Sequence, residues 1–86
     1  MGVIWDDKAF EELYFWVETD KKTVKRIYKL VLDIQRNGLA QGIGKPEALR
    51  HRKGWSRRID EKNRLLYDMN EQGQIEILSC KGHYED

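Results

Sequence analysis

The chain has 86 residues, 40% hydrophobic and 36% charged: enough for one core, too short for two, and too rich in apolar side chains to be disordered or fibrous. Its longest apolar run, Leu13 to Val17, falls far short of the ~20 residues of a membrane span, and no basic segment precedes an apolar stretch as in a signal peptide, so a cytoplasmic protein without membrane contact is expected. The net charge of +1 hides segments of −5 (residues 1–20), +10 (21–67) and −4 (68–86), and the basic centre reads either as a footprint for a polyanion or as a solvated helix face.

Ile4-Trp5 opens a short apolar strand, and Asp6-Asp7 supplies a cap and first-turn negative charge for a helix over roughly Asp7 to Val17. Phe10, Leu13, Tyr14 and Val17 recur at i, i+3, i+4 and i+7, so that face is expected to pack on a sheet, with Phe15 and Trp16 widening it. Thr19-Asp20 breaks the pattern and caps a second helix. There Val24, Ile27, Tyr28, Leu30, Val31 and Ile34 keep helical spacing, while Lys21, Lys22, Lys25, Arg26 and Lys29 fill the outer face. Asn37-Gly38 ends this helix.

From Leu39 to Gly54, glycines and Pro46 interrupt any period. This stretch reads as a long loop with room for a helical turn around Glu47 to His51. Trp55 to Asp60, Arg64 to Asn70 and Ile75 to Cys80 read as three strands, joined by turns at Glu61-Lys62-Asn63 and Glu71-Gln72-Gly73. The order β-α-α-loop-β-β-β predicts a single α+β domain, an antiparallel sheet packed against two N-terminal helices. A three-residue turn sets Asp60 opposite Arg64 and Arg58 opposite Leu66. Trp55, Ile59, Leu65, Tyr67 and Met69 then face the helices, with Arg57 on their side, while Ser56, Arg58 and Arg64 line the open face.

No Walker loop, GxGxxG, HExxH or CxxC occurs, so nucleotide hydrolysis and metalloprotease chemistry lack support. Cys80 cannot form an internal disulfide or a multi-cysteine zinc site and reads as a core residue. With His51 and His83 as the two histidines, no metal or cofactor is expected. What remains is Lys45, Glu47, Arg50, His51, Arg57, Arg58, Arg64, His83 and Tyr84, a set suited to phosphate chemistry. Cleavage of RNA by its own 2′-hydroxyl needs a base, cations for the charge that grows on the phosphorane, and an acid for the departing 5′-oxygen. Glu47 reads as the base or as a capping group paired with Lys45 or Arg50. Arg58 and Arg64 read as phosphate ligands or as solubilising strand residues. His83 reads as the acid or as a terminal surface histidine, and Tyr84 and Trp55 as stacking groups or as core and rim aromatics.

Several words occur in a telling order: Ile4-Trp5, Trp16-Val17-Glu18-Thr19-Asp20, Gly44-Lys45-Pro46-Glu47-Ala48-Leu49-Arg50-His51, Trp55-Ser56-Arg57-Arg58-Ile59, Arg64-Leu65-Leu66-Tyr67 and His83-Tyr84. Over residues 4–84 the chain resembles the YoeB toxins, a group within the RelE superfamily of bacterial toxin-antitoxin systems. The resemblance implies a RelE-like fold and a ribosome-dependent mRNA endonuclease that cuts the codon in the ribosomal A site. It implies Glu47 as general base, Arg64 as transition-state cation, His83 as acid or phosphate ligand and Tyr84 as positioning group, with Arg58 and Arg50 as supporting phosphate contacts. Lys45, His51 and Trp55 complete the expected RNA-binding set. Arg50 stands where relatives often carry lysine, which keeps the charge and alters its reach. The implied partners are a YefM-like antitoxin, the 70S ribosome with its mRNA, a second copy of the chain, and operator DNA only within the toxin-antitoxin complex. A non-catalytic RNA- or ribosome-binding module and a DNA-binding corepressor are the alternative readings.

Overall fold

Two helices, α1 (Asp7–Thr19) and α2 (Lys21–Asn37), cover one face of a five-stranded sheet in the computed structural model, which describes residues 2–83. The strands are β1 (Val3–Trp5), β2 (Glu47–Ala48), β3 (Trp55–Arg58), β4 (Arg64–Met69) and β5 (Ile75–Ser79), in the spatial order β1-β5-β4-β3-β2. The α+β class is the expected one. The sheet, however, is mixed rather than antiparallel, because β1 runs parallel to β5 with Ile4 beside Glu76. Both helices and three strands separate β1 from β5 in sequence, so no hairpin dictates the direction of this pair. The expected helical turn at 47–51 is instead the edge strand β2, whose Glu47 and Ala48 pair with Ser56 and Trp55. The edge of β3 offers Glu47 and Ala48 backbone partners, whereas a single isolated turn fixes several residues for very few hydrogen bonds.

The α1 face that packs is not the expected one. Phe10 and Tyr14 are 63% exposed and Val17 46%, while Ala9 is fully buried and Leu13 and Trp16 pack on the core. Two stripes compete on this helix, and the stripe with the small Ala9 lets α1 approach β5 closely. There the Trp16 Nε1 donates to the Cys80 carbonyl (2.9 Å), and the Cys80 amide donates to the Glu12 carboxylate (2.9 Å). Burial, and then Glu12, push the Cys80 thiol up to about 12, so this cysteine is a core residue. On α2, Ile27, Leu30 and Ile34 are buried as expected, and the Asp20 side chain caps the amides of Lys22 and Thr23. The Asp6 side chain caps nothing on α1. Its interaction with Glu76, followed by burial, raises the Glu76 carboxyl.

The β3–β4 turn is two residues longer than expected, with Arg58 opposite Arg64 and Arg57 opposite Leu65. A shift of two keeps the parity, so odd residues still face the helices. Arg57 is one of them, and it is fully buried. Its guanidinium donates to the Asp33 carboxylate (2.5 Å), to the carbonyls of Gly38 (2.9 Å), Gln41 (2.7 Å) and Ile43 (3.1 Å), and to the Tyr67 hydroxyl (2.9 Å). That hydroxyl in turn donates to the Leu39 carbonyl (2.6 Å). The glycine-rich segment 38–44 is thus wrapped around one buried cation. A Cβ at Gly42 would stand 1.7 Å from the Asp33 Oδ2, so only glycine fits there.

The Arg57 bond holds the Asp33 carboxyl below its ordinary 3.8; burial opposes this, and the Ile43 amide adds to the lowering. A lowered carboxyl stabilises the fold above its unfolded pKa, and the contribution fades as pH falls through the folded value. Asp33→Asn is therefore expected to be less stable than wild type at pH 7, with the gap in urea midpoints narrowing below about pH 4. An equal gap at pH 7 and pH 3 would contradict this linkage.

Candidate active site

On the open face, Lys45, Glu47, Ser56, Arg58, Arg64 and His83 line a polar cleft of about 140 Å³. Each arrives by a different local device. Ser56 and Arg58 alternate outward from β3, and β2 sets Glu47 directly opposite Ser56. The Arg58 amide donates to the Gly44 carbonyl (2.7 Å), which anchors the segment just before Lys45. Lys45 itself takes a left-handed backbone, φ 51°, a conformation that costs roughly 1–3 kcal/mol for a non-glycine residue and recurs at functional sites. Arg64 opens β4 opposite Arg58. Its Nη1 donates to the carbonyls of Asp60 (2.6 Å) and Asn63 (3.1 Å), which fixes the guanidinium while its other nitrogens take no part in these bonds.

His83 is placed by its neighbour. The Gly82 carbonyl accepts from the Arg64 amide (2.9 Å), and the Gly82 amide donates to the Asn63 side chain (2.8 Å). Asn63 also donates to both carboxylate oxygens of Asp60 (3.1 Å each), and Asp60 caps the amides of Lys62 and Asn63. Burial alone would raise the Asp60 carboxyl; the bonds from Asn63 and Lys62 and the charge of Arg64 outweigh it and hold the carboxyl low. The Asp60–Asn63 turn therefore couples Arg64 to the segment that carries His83. In the sequence this turn reads only as a connector, although an Asp and an Asn three apart between two strands are the residue types that build such a turn.

The structure brings together Lys45, Glu47, Arg58, Arg64 and His83, and adds Ser56 as a hydroxyl between them. It sends other expected residues elsewhere. Trp55 packs against the core on the helix side. Arg50 and His51 are exposed in the loop closed by the Leu49 amide donating to the Gly54 carbonyl (3.0 Å), and neither lines the cleft. Tyr84 lies outside the described residues. Arg57, sequence-adjacent to Arg58 and chemically identical to it, is a structural cation on the opposite face.

Among the described residues that line the cleft, one carboxylate stands with two arginines, a lysine and a histidine. Such a group can bind a phosphodiester through the cations while the carboxylate accepts a proton beside it. Elsewhere, Phe10, Leu13, Tyr14 and Val17 of α1 form an almost wholly apolar groove of about 400 Å³. Among the described residues, no helix is long and apolar enough to cross a membrane.

A family model for the YoeB-like toxin of bacterial type II toxin-antitoxin systems matches residues 5–84. The chain is 40% identical to the toxin YoeB of Escherichia coli strain K12, over 98% of this chain and all of that protein. Among solved structures it is similar to the YoeB dimer from Staphylococcus aureus, at 42% identity and a TM-score of 0.90, covering 98% of each chain. It is also similar to a chain of the heterotetrameric YoeB-YefM toxin-antitoxin complex of the same organism, at 41% identity, a TM-score of 0.88 and the same coverage. By sequence and fold alike, this chain belongs to the family of YoeB-like toxins of bacterial type II toxin-antitoxin systems.

Proposed function

We propose that the chain is a ribosome-dependent endoribonuclease that cuts mRNA at the A-site codon and so stops translation. The observation that carries the reading is the convergence of Glu47 with Lys45, Arg58, Arg64 and His83 in one cleft. Glu47 takes the proton from the 2′-hydroxyl, whose oxygen then attacks the adjacent phosphorus. Arg64 and Arg58 stabilise the charge on the phosphorane, and Lys45 binds a non-bridging oxygen. His83 gives a proton to the 5′-oxygen as that bond breaks, leaving a 2′,3′-cyclic phosphate and a 5′-hydroxyl. Tyr84 follows His83 directly and is assigned to positioning the nucleotide. A side-chain acid and base suffice for this chemistry, so no metal is required.

The same proposal gives the chain a YefM-like antitoxin, a homodimeric form, a cytoplasmic location and operator DNA contact only within the antitoxin complex. The exposed apolar strip on α1 supports a protein partner, because contiguous apolar surface of this kind is where monomers associate. The exposed lysines of α2, together with Arg50 and His51, support docking on a ribosomal polyanion.

Purified protein added to ribosomes carrying a defined mRNA is expected to cut within the A-site codon. Arg64→Ala should lose about 10²-fold or more in cleavage rate, and Arg50→Ala, outside the cleft, less than about 10-fold. Ribosome binding without cutting would turn the reading to a non-catalytic binding module.

A further inference from the structure

A second cleft, of about 150 Å³, lies next to the first, and His83 belongs to the walls of both. Lys8, Leu66, Ser79, Lys81 and Gly82 form the rest of it. Strand register accounts for the adjacency: Ser56 of the first cleft pairs with Leu66 on β4, and Leu66 pairs with Ser79 on β5. The clefts therefore follow one another across the open face at strand spacings of about 4.8 Å. Among its described lining residues the second cleft carries two lysines and no carboxylate.

Helix formation does not explain the first of these lysines. Lys8 stands in the first turn of α1, where the positive end of the helix dipole disfavours a cation. The Lys81 ammonium lies 4.3 Å from the centroid of the Phe15 ring, a weak cation–π contact outside the cleft that a phosphate in the cleft would have to compete with. Ser79 is almost fully buried and forms part of the wall. A polynucleotide is a regular polyanion, and two adjoining cationic clefts with one shared histidine match consecutive phosphates of a single strand.

We propose that the second cleft binds the phosphate next to the scissile one, with Lys8 and Lys81 meeting its charge. The two clefts then hold neighbouring phosphates of one RNA strand on either side of His83. The proposal rests on the endoribonuclease reading of the first cleft. It adds a subsite that fixes how the strand runs across the sheet, from β3 toward β5.

The test uses a fluorescent 2′-O-methyl trinucleotide, which has two phosphodiesters and cannot be cut. Its analogues carry one uncharged methylphosphonate in place of either phosphodiester. Wild type is expected to bind the doubly charged form about five-fold more tightly than at least one of the analogues in ~50 mM salt. The double variant Lys8→Gln/Lys81→Gln, which replaces two exposed side chains, is expected to lose that preference, with thermal melting compared to confirm its fold. The slope of its log affinity against log salt should fall by about 0.7, the share of one single-strand phosphate. Equal affinity of wild type for all three trinucleotides, or an unchanged preference in the variant, would overturn the proposal. If these binding differences appear while wild type cuts nothing on ribosomes, the endoribonuclease reading fails and the phosphate subsite stands. If wild type cuts and the variant binds like wild type, the subsite fails alone.

Discussion

Glu47→Gln is expected to lower mRNA cleavage on ribosomes by about 10²- to 10⁴-fold while RNA binding is retained or improved. The amide keeps the size and the extended backbone of β2, where Glu47 pairs with Ser56, so the edge of the sheet should not change. It removes the one carboxylate among the described residues of the cleft and leaves Lys45, Arg58, Arg64 and His83 in place. A base that acts only as the 2′-oxygen attacks contributes to the transition state and not to ground-state binding, so the loss should fall on the rate. The remaining cations meet less opposing charge, which is why affinity for RNA should hold or rise. Single-turnover cleavage alongside ribosome binding measures both quantities. Wild-type cleavage by Glu47→Gln would remove Glu47 from the chemistry and require another group as the base.

Arg57→Met should cost about 3–5 kcal/mol of stability, because it leaves buried partners of a fully buried cation without their donor. For a domain of this length that corresponds to a fall in Tm of at least about 12 °C. Asp33→Asn should cost less: the Asp33 side chain is 17% exposed and can turn to water, and Arg57 keeps the carbonyls of Gly38, Gln41 and Ile43. The order of the two variants in thermal or urea unfolding therefore separates a cation that organises a loop from a simple ion pair. Should Asp33→Asn prove the more damaging, the loop carbonyls would not be what Arg57 holds. Segment 38–44 leads straight into Lys45 and Glu47, so Arg57→Met is also expected to lose activity at temperatures where it remains folded. Strand parity is enough to set Arg57 on the helix side, but it does not reveal the five groups that the guanidinium bonds there. Its burial makes it one of the most sensitive positions in the chain.

Much of this architecture is written in local pattern. The Asp20 cap, the α2 stripe of Ile27, Leu30 and Ile34, and the three antiparallel strands depend on short-range periodicity and turn chemistry, which a sequence displays directly. The direction of β1 and the two-residue strand β2 depend on pairing with segments 72 and 9 residues away, and short apolar or mixed segments do not encode their partner. On α1 two apolar stripes overlap at Leu13. The choice between them is made by the closeness of approach that Ala9 allows and by the Trp16 bond to Cys80, both tertiary facts.

The cleft shows the same division. Glu47, Arg58, Arg64, Lys45 and His83 were legible as residue types that suit phosphate chemistry, and strand parity was enough to send Arg58 and Arg64 to one face. Trp55 could not be placed by type, since an aromatic serves a core as readily as a stacked base; its odd position sends it to the helix side. The roles of Arg57 and Asn63 are not legible in the sequence because each acts through backbone groups of segments distant in the chain or through a turn two residues longer than its residues suggest.

The central claim is attack by the substrate's own 2′-hydroxyl, and it is tested most directly by the chemistry of the cut ends. Purified protein is added to ribosomes programmed with an mRNA that carries either ribose or a single 2′-deoxyribose at the cleaved nucleotide. The expected result is a 2′,3′-cyclic phosphate or 3′-phosphate facing a 5′-hydroxyl in the ribose message, with no cut at that position in the deoxy message. Cleavage of the deoxy message, or ends bearing a 3′-hydroxyl and a 5′-phosphate, would mean that an external nucleophile does the work and would contradict the roles assigned to Glu47 and His83.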